Sequence, residues 1–156
     1  MLRLVIIFLF FSINCLAYGQ ELSKEVAWAI KYGHTEYLDE WIPADNVNAC
    51  LEVGSRKTYN YLVISIKLKS LKALKYFVER GADIESVCEV KTPLMFAAKY
   101  GQLEVIKYLL TKGADPSIKI KGYTALYYAG KFKHYDWYSW LRNCTSQYVL
   151  VTFGGW

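Results

Sequence analysis

The residues able to do chemistry in this 156-residue chain are few: His34 and His134, four cysteines, and scattered carboxylates and hydroxyls. Metal binding would need clustered His, Cys, Asp or Glu, and two histidines with no Cys-x-x-Cys provide little of that. Nucleophilic catalysis would need a hydroxyl or thiol beside a base, but Ser65 and Ser70 have no histidine near them in the sequence. There is no Gly-rich phosphate loop, nucleophile elbow or paired-carboxylate motif. The chain therefore reads as having no catalytic, cofactor-binding or metal-ligating residues. An enzyme is the outlying alternative.

The elements that carry these residues begin with a leader. Arg3 precedes the apolar run 4–11, Ser12 and Asn14 interrupt it, and Ala17-Tyr18-Gly19 offers small residues before Gln20. A basic start, an apolar centre and a small-residue exit describe a secretory signal peptide over 1–19, with cleavage after Gly19. The expected location is secreted or periplasmic, with no membrane attachment after cleavage. Residues 20–156 then hold 18 Lys and Arg against 14 Asp and Glu, too mild an excess to imply nucleic acid. Hydrophobic residues make up 54% of the whole chain, enough for a core and too many for a disordered chain.

Self-similarity organises the rest. Gly81-Ala82-Asp83 returns as Gly113-Ala114-Asp115, Thr92-Pro93-Leu94 as Thr124-Ala125-Leu126, and Leu74-Lys75-Tyr76-Phe77 as Ile106-Lys107-Tyr108-Leu109, each 32 positions on. Lys31-Tyr32-Gly33 recurs as Lys99-Tyr100-Gly101. Within one period, Thr92 caps a short helix that Pro93 opens and Gly101 ends, and a second helix with 3–4 apolar spacing runs from Leu103 to Gly113. Such a pair cannot bury its apolar side alone, so units must stack as a solenoid.

Thr-Pro-Leu-x-x-Ala-Ala at 92–98 and Gly-Ala-Asp at 113–115 resemble the ankyrin repeat family. The resemblance implies an all-α solenoid domain over 20–143, with about four units at 22–49, 56–87, 88–119 and 120–143. A tail at 144–156 follows, able to cap the last unit or to stay exposed. The period is one residue short of the family's 33. The usual histidine after Thr-Pro-Leu is Met95 or Tyr127, unit two has Asn60-Tyr61-Leu62, and Lys69 and Lys133 stand where a helix-ending glycine belongs. Trp137, Tyr138 and Leu141 fall at the core positions of Val105, Ile106 and Leu109. A longer loop, Cys50 to Ser55, separates units one and two. His34 and His134 hold the same position in the outermost units, which puts them roughly 30 Å apart at about 8–10 Å per unit, too far to share a metal or a proton.

Cys50 and Cys88 lie in successive interunit loops. They either form a bridge or remain thiols, because equivalent positions of stacked units stand farther apart than the ~7 Å limit between bridged Cα atoms unless the inserted loop brings them closer. Cys144 lies in a glycosylation sequon, Asn143-Cys144-Thr145, of use only in a eukaryotic cell.

A ladder is the positive signal. Lys31, Lys67, Lys99 and Lys131 end the first helix of each unit, followed by Tyr32, Leu68, Tyr100 and Phe132. In this family those positions face the concave surface, and Lys57, Tyr59, Lys91, Lys121 and Tyr123 lie nearby. Lysines near a helix C-terminus also complement the macrodipole, which leaves the aromatic column unexplained. What the resemblance implies is binding of another protein on that face; the lysine column points to an acidic surface on it, and the small size and leader suit an inhibitor, immunity or accessory protein. The alternative is a secreted effector acting on host proteins.

Overall fold

The computed structural model describes residues 21–54, 57–134, 138–139 and 142–143. The leader 1–19, Trp137, Leu141, Cys144 and the tail 144–156 lie outside them.

Polar caps and turn residues set the element boundaries. Helix α1, Lys24–Tyr32, opens with the Ser23 hydroxyl accepting from the Val26 N–H and closes on left-handed Gly33. Helix α2, Thr35–Trp41, returns antiparallel to it, and a 3₁₀ turn at Ala44–Asn46 follows. The residues read as a longer loop contain a strand: β1, Leu51–Glu52, pairs antiparallel with β2, Thr58–Tyr59. The expectation of an all-α fold is corrected to this extent. Two-residue strands carry too little pattern to stand out in a sequence, and tertiary contacts fix these.

Asn60 then caps α3, Tyr61–Lys67, its Oδ1 accepting from the Val63 N–H at 2.8 Å, so asparagine does the work of threonine in the third and fourth units. Helix α4, Leu71–Glu79, starts on the hydroxyl of Ser70. Thr92 and Pro93 open α5, Pro93–Tyr100, which ends on left-handed Gly101. Helix α6, Leu103–Thr111, pairs with it, and Thr124 caps α7, Ala125–Lys131. The helix α1 packs on α3, α3 on α5 and α5 on α7, so the first helices of successive units form one row, with α2, α4 and α6 paired to them. The core runs along that row through Ile30, Leu62, Ile66, Leu94 and Ala129 and continues into Leu38, Phe77 and Leu109 of the second helices.

The Gly-Ala-Asp word has a physical reading. Gly81 and Gly113 adopt positive φ, and the carboxylates of Asp83 and Asp115 accept the N–H two residues on, from Glu85 and Ser117. Loops are also tied to each other. The Asn48 side chain accepts from the Asp83 N–H, and Glu85 Oε1 accepts from the Asp115 N–H, both at 2.7 Å. Among the described residues Glu85 Oε2 is buried without a hydrogen-bond partner, and burial pushes this carboxyl above its ordinary pKa, against the lowering effect of the Asp115 N–H.

Lys69 and Lys133 take φ of 58° and 59°, the left-handed conformation that glycine holds at Gly33 and Gly101. A side chain there costs about 1–2 kcal/mol. Lys69→Gly is therefore expected to raise the unfolding free energy by about 1 kcal/mol in urea melts. No gain would mean that the lysine stem recovers its cost in contacts.

Candidate functional site

The ladder lysines sit where they do because each first helix ends at the same place in its unit. Lys31, Lys67, Lys99 and Lys131 all occupy the last turn of their helices, where the macrodipole favours a cation. The stack then sets two of them, Lys67 and Lys99, against rings of the next unit, and Lys131 lies over a ring of its own helix. Lys67 Nζ stands 4.4 Å from the ring centroid of Tyr59 and 5.9 Å from that of Tyr100. Lys99 Nζ is 5.4 Å from Tyr100 and 5.5 Å from Phe132. Lys131 Nζ lies 5.6 Å from Tyr127. Rings and ammonium groups thus alternate across the unit boundaries, each contact worth about 0.5–1 kcal/mol where water reaches it.

Lys91 belongs to the same surface. Its Nζ lies 5.6 Å from Phe96 and 5.2 Å from Tyr128. Desolvation first, and then the charge of Lys99, push its ammonium below the ordinary lysine pKa; Lys121 and Lys131 add to this and Glu89 opposes it. Lys99, Lys121 and Lys131 thus all lie within electrostatic reach of Lys91. Among the described residues the ion pairs are His34–Glu36, Arg80–Asp39 and Lys107–Glu104, and no ladder lysine takes part in one. The surface is basic and aromatic, with Glu89 as the acidic group that acts on Lys91.

Not every expected residue joins it. Tyr59 is a correction: it is buried at 6% exposure, edge-on to Phe96 at 5.7 Å, and supports Lys67 from below instead of offering contact area. Lys57 is exposed at the start of the hairpin's return, its carbonyl accepting from the Val53 N–H. Lys121 and Gly122, both at positive φ, form the tip of a tight turn closed by the Ile120–Tyr123 bridge, which leaves Tyr123 exposed and stacked on Tyr127 at 4.2 Å. Lys31 lies over its neighbour Tyr32 at 5.1 Å, and Tyr32 leads away to a different cluster through Trp28.

That cluster escaped the sequence reading. Tyr32, Trp28, His34, Tyr37 and Trp41 form a continuous chain of ring contacts, with Trp28 stacked on His34 at 4.7 Å and Tyr37 on Trp41 at 5.5 Å. All but His34 are among the exposed large side chains. The repeat register held the clue, since Trp28, Tyr37 and Trp41 occupy the positions of Phe96, Val105 and Leu109.

The histidines are engaged separately. His34 Nδ1 meets Glu36 Oε1 at 3.0 Å; Glu36's own backbone hydrogen bond first, and His34 second, hold that carboxyl below its ordinary pKa. His134 Nε2 meets the Lys99 carbonyl oxygen at 3.1 Å, reaching back to the preceding unit. Gln102, one unit earlier, does likewise, its side-chain amide donating to the carbonyl of Ile66. This position stitches a second helix to the end of the previous first helix. Ser65 donates to the Tyr61 carbonyl and Ser70 is a helix cap. Among the described residues no group of three or more His, Cys, Asp or Glu could hold a metal ion, and no helix is long and apolar enough to cross a membrane.

Cys50 and Cys88 form a disulfide, with Cα atoms 5.6 Å apart. The hairpin supplies the approach that regular stacking would deny. The Thr58 hydroxyl on β2 donates to the Cys88 carbonyl, the Thr58 N–H to Glu89 Oε1, and the Asn60 amide to the Ser86 carbonyl. These bonds draw the inserted segment onto the loop after α4.

A sequence model described as ankyrin repeats (3 copies) matches residues 62–150, more than half of the chain. No curated protein sequence matches it. The first helix pair lies ahead of the matched span.

Proposed function

We propose, from the premise that the chain belongs to the ankyrin repeat family, that it is an exported module binding an acidic partner protein through its lysine–aromatic surface. Members of the family generally bind other proteins. The observation that carries the reading is the alternation of Lys67, Tyr100, Lys99 and Phe132 with no carboxylate paired to the lysines among the described residues. Aromatic rings supply rigid contact area, and unpaired ammonium groups steer an acidic surface during approach. The lysines are held in place by ring contacts, so little ordering cost remains at binding.

Export rests on two supports. Residues 1–19 have the grammar of a cleavable leader, and the Cys50–Cys88 bridge suits an oxidising compartment. An inhibitor or accessory protein for an exported partner fits both.

The test is kinetic. Affinity capture with the oxidised protein identifies the partner, and Lys67→Glu/Lys99→Glu/Lys131→Glu is then compared with wild type by surface plasmon resonance. The association rate is expected to fall at least about tenfold at low salt and to lose its salt dependence, with a smaller change in dissociation. An unchanged association rate, in a variant whose melting curve shows it folded, overturns the reading.

A further inference from the structure

The repeat register shows which side chains one unit lends to its neighbours. Phe96, Val105 and Leu109 of the third helix pair are 4%, 4% and 0% exposed, and the same positions in the second pair, Ile64, Ala73 and Phe77, are buried too. Both pairs have a unit before them. The first pair has none among the described residues, and there Trp28, Tyr37 and Trp41 are 47%, 44% and 39% exposed. Terminal units of a solenoid ordinarily present polar residues on this side. This one presents large rings in mutual contact, Trp28 stacked on His34 and Tyr37 on Trp41. The opposite end repeats the pattern: Met95 and Val63, each followed by a further unit, are buried, whereas Tyr127 at the same position of the last described helix is 40% exposed and stacked on Tyr123.

Charge divides the two ends. Residues 21–49 carry six acidic side chains, Glu21, Glu25, Glu36, Asp39, Glu40 and Asp45, against Lys24 and Lys31. Residues 119–134 carry Lys119, Lys121, Lys131 and Lys133 and no acid. Glu25 and Glu40 lie three residues from Trp28 and Tyr37, on the same helix faces as those rings. Trp41 forms a wall of a cavity of about 260 Å³ with Leu22, Val26 and Tyr61, and Tyr127 lines another of about 610 Å³ with Leu126 and Tyr138. The recess at Tyr127 lies within the last unit, whereas the one at Trp41 opens at the seam with the second unit.

We propose that this chain associates end to end with further copies of itself, the acidic aromatic face at Trp28, Tyr37 and Trp41 of one copy seating the basic aromatic face at Tyr123 and Tyr127 of the next. The contact repeats between molecules what successive units do within one: a side that follows meets a side that precedes. It is heterologous, so each copy keeps one live end and chains can grow. Rings of one end lie opposite lysines of the other, the pairing this protein uses internally at Lys67 and Lys99. The proposal is independent of the partner-binding reading, which concerns the lysine ladder along the stack.

Sedimentation equilibrium on the full oxidised chain tests it, at low salt and from about 10 µM to about 1 mM, the range suited to a small interface. The weight-average mass is expected to rise at least about twofold over that range and to fall back toward one chain in 0.5 M salt, as screening removes the end-to-end attraction. Tyr37→Ser/Glu40→Lys blocks one end and Tyr127→Ser/Lys119→Glu the other; all four residues are surface positions, and circular dichroism melts verify folding. Each variant alone is expected to stay monomeric, and an equal mixture to form dimers that grow no further, since each molecule brings one intact end. A wild type that remains monomeric throughout overturns the proposal, as would happen if the chain's own terminal segments cover these faces. So does a blocked variant that still dimerises alone, which would indicate like ends meeting, or a mixture that stays monomeric.

Discussion

Replacing both Cys50 and Cys88 with serine is expected to lower the unfolding free energy by about 4 kcal/mol, the chain-entropy value for a bridge spanning 38 residues. A domain of this size has a total stability of about 5–15 kcal/mol, so the loss is a large share of it. The mechanism is specific to this bridge. It joins the segment leading into β1 to the loop after α4, and so encloses the hairpin and the whole second helix pair in one covalent ring. Without it, the hairpin retains the hydrogen bonds of Thr58 and Asn60 to the loop at 86–89, worth about 1 kcal/mol each. Urea unfolding with and without reductant gives the total. Hydrogen exchange locates it, with Leu51 to Tyr59 and the first helix pair expected to lose protection before α5 and α6. A loss below about 1 kcal/mol would show that the unfolded chain is already compact around this segment.

Phe77→Ala should cost about 3–5 kcal/mol, the range for emptying a large buried aromatic site. Phe77 has no exposed surface, lies against the face of Tyr61 at 5.0 Å and meets the ring of Tyr76 edge-on at 5.2 Å. It is the largest fully buried side chain of the core and sits in α4, in the middle of the row of second helices. The following unit holds the smaller Leu109 at this position, so Phe77→Leu is expected to keep most of the stability. Chemical denaturation of the pair measures both. A small effect of alanine would mean that α3 and α4 close over the gap. The ring contacts of Phe77 are with Tyr61 and Tyr76 and not with ladder residues, so binding should fall only as far as the folded population does.

Much of the fold was legible because it is carried by local chemistry. Caps at Thr92 and Thr124, the left-handed glycines and the 32-residue step each state a boundary without reference to distant residues. The left-handed lysines, Lys69 and Lys133, were visible as exceptions for the same reason. What stayed hidden depends on distance in space. Leu51–Glu52 and Thr58–Tyr59 pair as strands because the loop at 86–89 and the disulfide hold them. Average spacing between units left the Cys50–Cys88 pairing undecided, since that average says nothing of an insertion that folds across to the next loop. Within the candidate site, the lysine column followed from register alone. So did Tyr100 and Phe132, but other rings did not: Tyr59 turned inward, and Lys91 gained Phe96 and Tyr128 as neighbours only once the units stacked. The aromatic end at Trp28, Tyr37 and Trp41 was missed because exposure there depends on which units stand beside it in space, and spacing along the chain does not state that.

The contact between Gly101 and His134 bears on how freely these units could be exchanged. A Cβ at Gly101 would stand 2.6 Å from the imidazole of His134, whose Nε2 engages the Lys99 carbonyl in the same corner. The ring fills space that exists only because the residue ending the earlier helix has no side chain. Grafting the last unit behind the second one would drive this imidazole against Lys69, while Gln102 could move anywhere its longer arm still finds a carbonyl. The array is therefore modular in architecture but not in its joints: a shuffled or duplicated copy would have to carry both halves of that joint with it.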